Sequence, residues 1–321
     1  MTRARLERMW VGLANSHSMR RLRRSAPLQR LASLSAARDL DMRRRRLVAR
    51  REGRRHPDRF DHLEALCLFV GHTKSGGTLL GAMIDAHPQA VVADEVDVLR
   101  HLEAGLSRRE ILDLLVRNAR REALKGRVTA RRLGGYSLAV PSQWQGSYRE
   151  IQVVGESRAG PTTRRLGSGP GGLEALRELA APARLRLVHV VRNPLDPIAA
   201  MVRRGGRTVE SATADYAAQA ERLETVRSRL EPDELITVRY EELVGDPRLH
   251  LSRVLGHLGL EAREDHLGAC ATLVDARRSR EREWIQWSPA QIEGVAKVAE
   301  GHGFLAPYRS HVGSGEGPGG C

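Results

Sequence analysis

A parallel α/β sheet flanked by helices is predicted by three observations. Apolar runs of five or six residues alternate with stretches of helical periodicity along the body of the chain. Those runs lack polar alternation, as strands covered on both faces require. The first run ends in a glycine-rich turn that opens into a helix, and two others end at "ADE" and "RNP". Ligands in such sheets sit at the carboxyl ends of the strands, so these three turns mark the expected site.

Taken in order, "LEALCLFVG" reads as a buried strand at about 64–70. "GTLLGAMIDAH" reads as a helix with Leu79, Leu80, Met83 and Ile84 on one side, and "AVVADE" as a second strand. "EVDVLRHLEAG" and "SRREILDLLVRNARREAL" read as helices, the latter opened by a Ser107/Glu110 capping box. "IQVVGE" is strand-like, and "SGPGG" at 168–172 reads as a loop. "RLRLVHVVRNP" is the clearest strand and stops at Pro194, with helices expected at about 195–204 and 209–230. "ELITVRYEELV" reads as a strand running into a turn, "DPRLHLSRVLGHLGL" as a helix, and "SPAQIEGVAKVAEGHGF" as a late helix with Ser288 and Pro289 at its start. One domain is expected over 61–310, between an arginine-rich N-terminal arm at 1–60 and a glycine-rich tail at 311–321 expected to be disordered.

Hydrophobic content of 41% with 29% charged residues is ordinary for a globular chain of 321 residues. No window of about 18 apolar residues occurs, so no transmembrane segment and a cytoplasmic location are expected. The three cysteines, Cys67, Cys270 and Cys321, are scattered, without disulfide or zinc spacing, which fits a reducing compartment. The net charge of +14 belongs to the arm, where 18 arginines face five acids. The rest of the chain holds 35 basic and 34 acidic side chains. The arm's apolar part is interrupted by Arg30, which argues against a secretory signal. It reads as a partly helical, solvated arm packed on the body, with an acidic partner (anionic lipid surface, nucleic acid or a polyanionic substrate) as the alternative.

The stretch "VGHTKSGGTLLG" nearly spells the phosphate loop G-x-x-x-x-G-K-[ST]: Gly71, Gly76 and Thr78 fit, but Gly77 occupies the lysine slot and Lys74 lies three residues early. Strand, glycine loop and helix still form the geometry in which backbone N–H groups cradle an anion. Only three of the 53 basic residues are lysines, so one inside this loop stands out.

Here the sequence resembles the PAPS-dependent sulfotransferases, whose 5′-phosphosulfate loop reads much like "HTKSGGTLL". The resemblance assigns Lys74, Ser75, Gly76, Gly77 and Thr78 to the cofactor's 5′ end. "VVRNPLDPIAAMVRR" resembles the family's 3′-phosphate segment, with Arg192 matching its arginine. Arg204, twelve residues on, matches a second arginine of the tyrosylprotein enzymes. An oxyanion of that kind is met bidentately by guanidinium groups. "VRYEELV" resembles a later segment whose tyrosine, here Tyr240, lies against the nucleotide. The matching segments span about 66–260 in the family's order. Two positions depart: Ala200 stands where the family has a serine, and Ser157 stands where many relatives have a lysine, with Arg158 beside it.

The resemblance implies an in-line transfer of a sulfuryl group from PAPS to a hydroxyl or amine, without a metal. Lys74 would neutralise the leaving group. Glu95, twenty-one residues past Lys74 as in the tyrosylprotein enzymes, would be the general base, preferred over Asp94, which could instead cap the helix near Val96. His87 reads as structural at a helix end, and His72 as a side chain of the acceptor side. Arg278 and Arg280 are further 3′-side candidates. Segment 126–150, with Tyr136, Trp144 and Tyr148, is expected to shape the acceptor pocket. The acceptor would be a hydroxyl-bearing small molecule, a glycan or glycolipid, or a peptide. Two rivals remain at this level: a small-molecule kinase of the P-loop class, against which Gly77 speaks, and a non-catalytic member that binds nucleotide or docks a polyanion through the arm.

Overall fold

The computed structural model describes residues 35–129, 136–274 and 281–309 of the chain. Arg278 and Arg280, most of the arm and the glycine-rich tail lie outside the described residues. Five parallel strands form the central sheet in the order β2-β5-β1-β6-β7: β1 Ala65–Val70, β2 Ala90–Ala93, β5 Val153–Glu156, β6 Arg184–Val191 and β7 Leu235–Arg239. β3 Val128–Thr129 and β4 Tyr136–Ser137 pair antiparallel as a separate ribbon.

All six residues of β1 are buried, and their alternation feeds two cores. Leu66, Leu68 and Val70 join the core on one face of the sheet. Ala65, Cys67 and Phe69 join the core on the other. This is why the strand reads as a continuous apolar run. The first core is closed by α4 Arg108–Leu124, α6 Gly171–Ala180 and α8 Val209–Arg227, the second by α2 Gly77–Ile84, α10 Pro247–His257 and α11 Glu264–Ala271.

The helix α1 Ser35–Arg55 belongs to the basic arm and packs on α4. Ala49 is fully buried there, Arg50 pairs with Glu110 at 2.7 Å, and Arg46 donates to the Gly105 carbonyl at 2.6 Å. Among the described residues no helix is long and apolar enough to cross a membrane.

The expected Ser107/Glu110 capping box is present, and Ser288 caps α12 Pro289–Gly301 with Pro289 in its first turn. Three local readings are corrected. The helix near Val96 is shorter, α3 Val98–Glu103, and is capped by Asp97 rather than Asp94. The loop at 168–172 already contains the start of α6, because Pro170 and the glycines leave helical φ/ψ open and Leu173, Leu176 and Leu179 bury one face. Tyr240 begins a short helix, α9 Tyr240–Gly245, instead of a turn. A further helix, α5 Ala159–Leu166, begins just after Ser157 where the sequence predicts no element. α7 Leu195–Gly205 follows the Arg-Asn-Pro turn as expected.

Candidate active site

The turn after β1 is built around Gly76. Its φ is 103°, and a Cβ there would lie 2.3 Å from the Tyr240 ring. Glycine is therefore required twice over, for the left-handed backbone and for the close approach of Tyr240. Lys74 also adopts a positive φ, 70°, which is uncommon for a side-chain-bearing residue. For the backbone N–H groups of Gly76, Gly77 and Thr78 no protein acceptor is found among the described residues, while Leu79 and Leu80 already donate to Gly76. A row of free donors at a helix N-terminus suits the oxygens of a phosphate or sulfate group.

Above the turn lies a cavity of about 770 Å³. Lys74, Gly76, Gly77, Thr78, Glu95, Arg192, Arg204 and Tyr240, all singled out from sequence, line it, as do Asp94, Ser157, Arg158 and Ala200. Ser75 is buried in the turn and lies outside the lining. These side chains come from turns at the carboxyl ends of β1, β2, β5, β6 and β7 and from α7, so five strand ends converge on one crevice.

Arg192 is nearly buried, stacks over the Tyr240 ring at 4.3 Å, and donates to the Lys74 carbonyl at 3.4 Å. It thus ties the β6 turn to the loop. Burial first, then Arg204, pushes the Lys74 ammonium below its ordinary value, while Glu95 and Glu281 act in the opposite direction. Glu95 is therefore within electrostatic reach of Lys74 and is exposed on the cavity wall. Asp94 is held differently: its carboxylate accepts from Ser157 Oγ at 3.2 Å, and burial raises its pKa, helped by the neighbouring Glu95.

Two carboxylates that carried no sequence signal shape the site. Glu156, at the end of β5, is almost fully buried and accepts from the backbone N–H groups of Val96, Asp97 and Val98 at 2.5, 2.6 and 3.0 Å. It clamps the chain immediately after Glu95. Burial pushes its pKa up to about 7 in spite of these donors. Glu281 binds both Arg203, at 2.6 Å, and Arg204, and itself lines the cavity.

The histidines separate clearly. His72 lines the cavity but stacks on Tyr216 at 3.7 Å between ring centroids, and its Nε2 meets the Tyr216 carbonyl at 3.0 Å. Burial lowers its pKa to about 4, leaving a neutral, structural imidazole. His87 lies outside the cavity. Its Nε2 meets the Glu261 carbonyl at 3.0 Å and its Nδ1 accepts from Gln89 at 3.2 Å, a tie between segments rather than the cap of its own helix. Of the three aromatics expected around the acceptor, only Tyr136 lines the cavity; the Tyr148 hydroxyl accepts from Arg59 instead, and Trp144 lies outside the lining. Among the described residues no group of three or more His, Cys, Asp and Glu side chains is arranged to hold a metal.

A glycine-rich turn after the central strand of a parallel sheet, faced by Arg192 from the turn after β6 and Arg204 from α7, defines an α/β protein with a candidate anion-binding crevice. The chain belongs to the sulfotransferase family: residues 68–265 match the family's model. Among solved structures it is similar to a sulfotransferase domain from the curacin biosynthetic pathway (19% identity, TM-score 0.49, 75% of this chain and 98% of that one). It is likewise similar to a sulfotransferase from Mycobacterium avium (12% identity, TM-score 0.46, 81% and 82%). A mouse sulfotransferase complexed with PAP matches at 13% identity and TM-score 0.39 over 75% and 83% of the two chains. No curated protein matches the sequence.

Proposed function

We propose that the chain moves a sulfuryl group from PAPS to a hydroxyl or amine acceptor, using 61–310 as its catalytic unit in the cytoplasm. The observation that carries this reading is the meeting of Lys74, Arg192 and Glu95 in one cavity above a loop with free N–H donors.

When bound, PAPS supplies an activated sulfuryl group attached to a phosphate leaving group. The N–H groups of Gly76, Gly77 and Thr78 and the Thr78 hydroxyl would hold the 5′ end of the nucleotide. The Lys74 ammonium sits in the same turn and neutralises charge that builds on the leaving oxygen. Arg192, stacked over the Tyr240 ring, would offer its guanidinium to the 3′-phosphate, with Tyr240 as a wall for the nucleotide. Arg204 adds a second cation, oriented by Glu281. The Glu95 carboxylate accepts the proton of the acceptor hydroxyl; it is preferred over Asp94, which is engaged by Ser157. Glu156 holds the turn that carries Glu95. No metal enters this account.

Titration of the protein with PAP, against ATP and magnesium as control, tests the reading. PAP binding in the micromolar range is expected, weakened by about 2 kcal/mol or more in Arg192→Ala, which removes a charge-assisted contact. Equal binding of ATP and PAP, or of PAP to wild type and Arg192→Ala, contradicts it. With an acceptor in hand, Glu95→Gln should lower turnover by about 10²–10⁴. Undiminished turnover removes Glu95 from the role of base.

A further inference from the structure

Behind Lys74 a second recess of about 580 Å³ shares His72, Thr73, Lys74, Gly160, Ala200 and Arg204 with the main cavity. Its remaining wall is strongly cationic. Arg164 comes from α5, Arg207 from the turn after α7 and Arg222 from α8, and Asp215 is the one carboxylate among the lining residues. That carboxylate is already paired with Arg207, and Arg204 is paired with Glu281. The acids nearest α5 are also committed: Asp97 to Arg158 and Arg165, at 3.6 and 3.0 Å, and Glu103 to Arg165 at 2.6 Å.

Two guanidinium groups are left over. Arg164 has no carboxylate partner among the described residues, and Arg222 donates to the Ala218 carbonyl at 3.4 Å. Partial burial lowers the Arg164 pKa, and Arg158, Arg222 and Arg165 then lower it further by repulsion. Isolated surface arginines are ordinary. Cations drawn from three elements into one concave recess, with the neighbouring acids spent elsewhere, focus a positive field that an anion relieves. Its lining takes in Thr73 and Lys74 of the loop but neither Arg192 nor Tyr240, with Ala200 and Arg204 on the border it shares with the main cavity, so its occupant sits beside Lys74 and apart from the Arg192–Tyr240 wall.

We infer that the acceptor carries an oxyanion (a carboxylate, phosphate or sulfate group) besides its nucleophilic hydroxyl, and that Arg164 and Arg222 hold that oxyanion in the recess beside Lys74. This rests on the sulfuryl-transfer reading for the word acceptor, but the anion site itself can be tested without it. Guanidinium forks bind planar carboxylates and tetrahedral oxyanions through paired N–H donors.

The test is calorimetric titration of the full chain, saturated with PAP, with inorganic pyrophosphate and separately with citrate, at fixed ionic strength. One or both should bind. The expected loss in R164Q/R222Q is about ten- to a hundredfold in Kd, the size of one or two charge-assisted contacts, with PAP affinity kept within about twofold. R164K/R222K should recover part of the binding. Should the double variant fail to fold, R164E, a change at an exposed position, must abolish it alone. A preference for pyrophosphate or citrate then separates a tetrahedral oxyanion from a carboxylate. Equal binding by wild type and variants, or none by either, overturns the inference. If PAP itself does not bind, the donor reading fails, and arginine-dependent pyrophosphate binding to the PAP-free protein still decides the recess.

Discussion

At Gly76 the loop, the Tyr240 ring and the N-terminus of α2 meet within the reach of one methyl group. Gly76→Ala must both hold a strained φ and push the ring away. A loss of about 1–3 kcal/mol in stability, seen in thermal melts, and a PAP Kd at least about tenfold weaker are expected. Ala200 makes the converse case. It is buried against both cavities where the family resemblance calls for a hydroxyl, so Ala200→Ser should tighten PAP about three- to tenfold, roughly 1 kcal/mol for one hydrogen bond. Unchanged affinity would show that the 3′-phosphate does not approach α7. The loop and the Arg192 turn were legible in the sequence because each is spelled locally, in consecutive residues. Glu156 and Glu281 were not: one serves backbone N–H groups 60 residues away, the other an arginine 77 residues away, and neither relation leaves a spacing to read.

Among the elements, the strands were legible from apolar runs and the capped helices from their first turns, since both signals are short-range. α5 escaped because its first turns, Gly160, Pro161, Thr162 and Thr163, are weak helix formers, and the fold holds it in place through Thr163, whose Oγ1 accepts from Gly71 at 2.7 Å. The joint between α2, β2 and the 126–150 segment was equally hidden. It centres on Asp85, a fully buried residue whose carboxylate accepts from Val92 at 2.7 Å, from Gly146 at 2.8 Å and from Arg127. Arg127 is itself buried, so Asp85→Ala leaves an uncompensated charge and two unmet donors. A loss of about 3–5 kcal/mol is expected in urea unfolding, with Asp85→Asn milder because it keeps an acceptor. A cost below about 1 kcal/mol would mean that Arg127 finds water instead.

For the whole molecule, the interior holds imidazoles that the fold keeps neutral, which couples stability to pH. His87 is fully buried; burial, then the neighbouring His266, lowers its pKa from 6.5 to about 4. Above pH 6.5 the ring is neutral folded or unfolded and contributes no pH dependence. As pH falls from 6.5 towards 4, the unfolded chain takes up a proton that the folded chain refuses, so stability is lost across that window. Glu156, raised from 4.5 to about 7, acts in the opposite sense over much of the same range, so the slope of the wild type alone is ambiguous. The difference between wild type and His87→Gln is not. The variant loses its ties to Glu261 and Gln89 at every pH, a constant deficit, but it has no proton to refuse. The deficit should therefore be largest and flat above about pH 7 and shrink by on the order of 2 kcal/mol near pH 4.5. Urea midpoints of both proteins at the two pH values measure it directly. A gap independent of pH would mean that His87 titrates normally in the folded protein, through an opening of the contact between the α2 end and residue 261 that the packed structure does not contain.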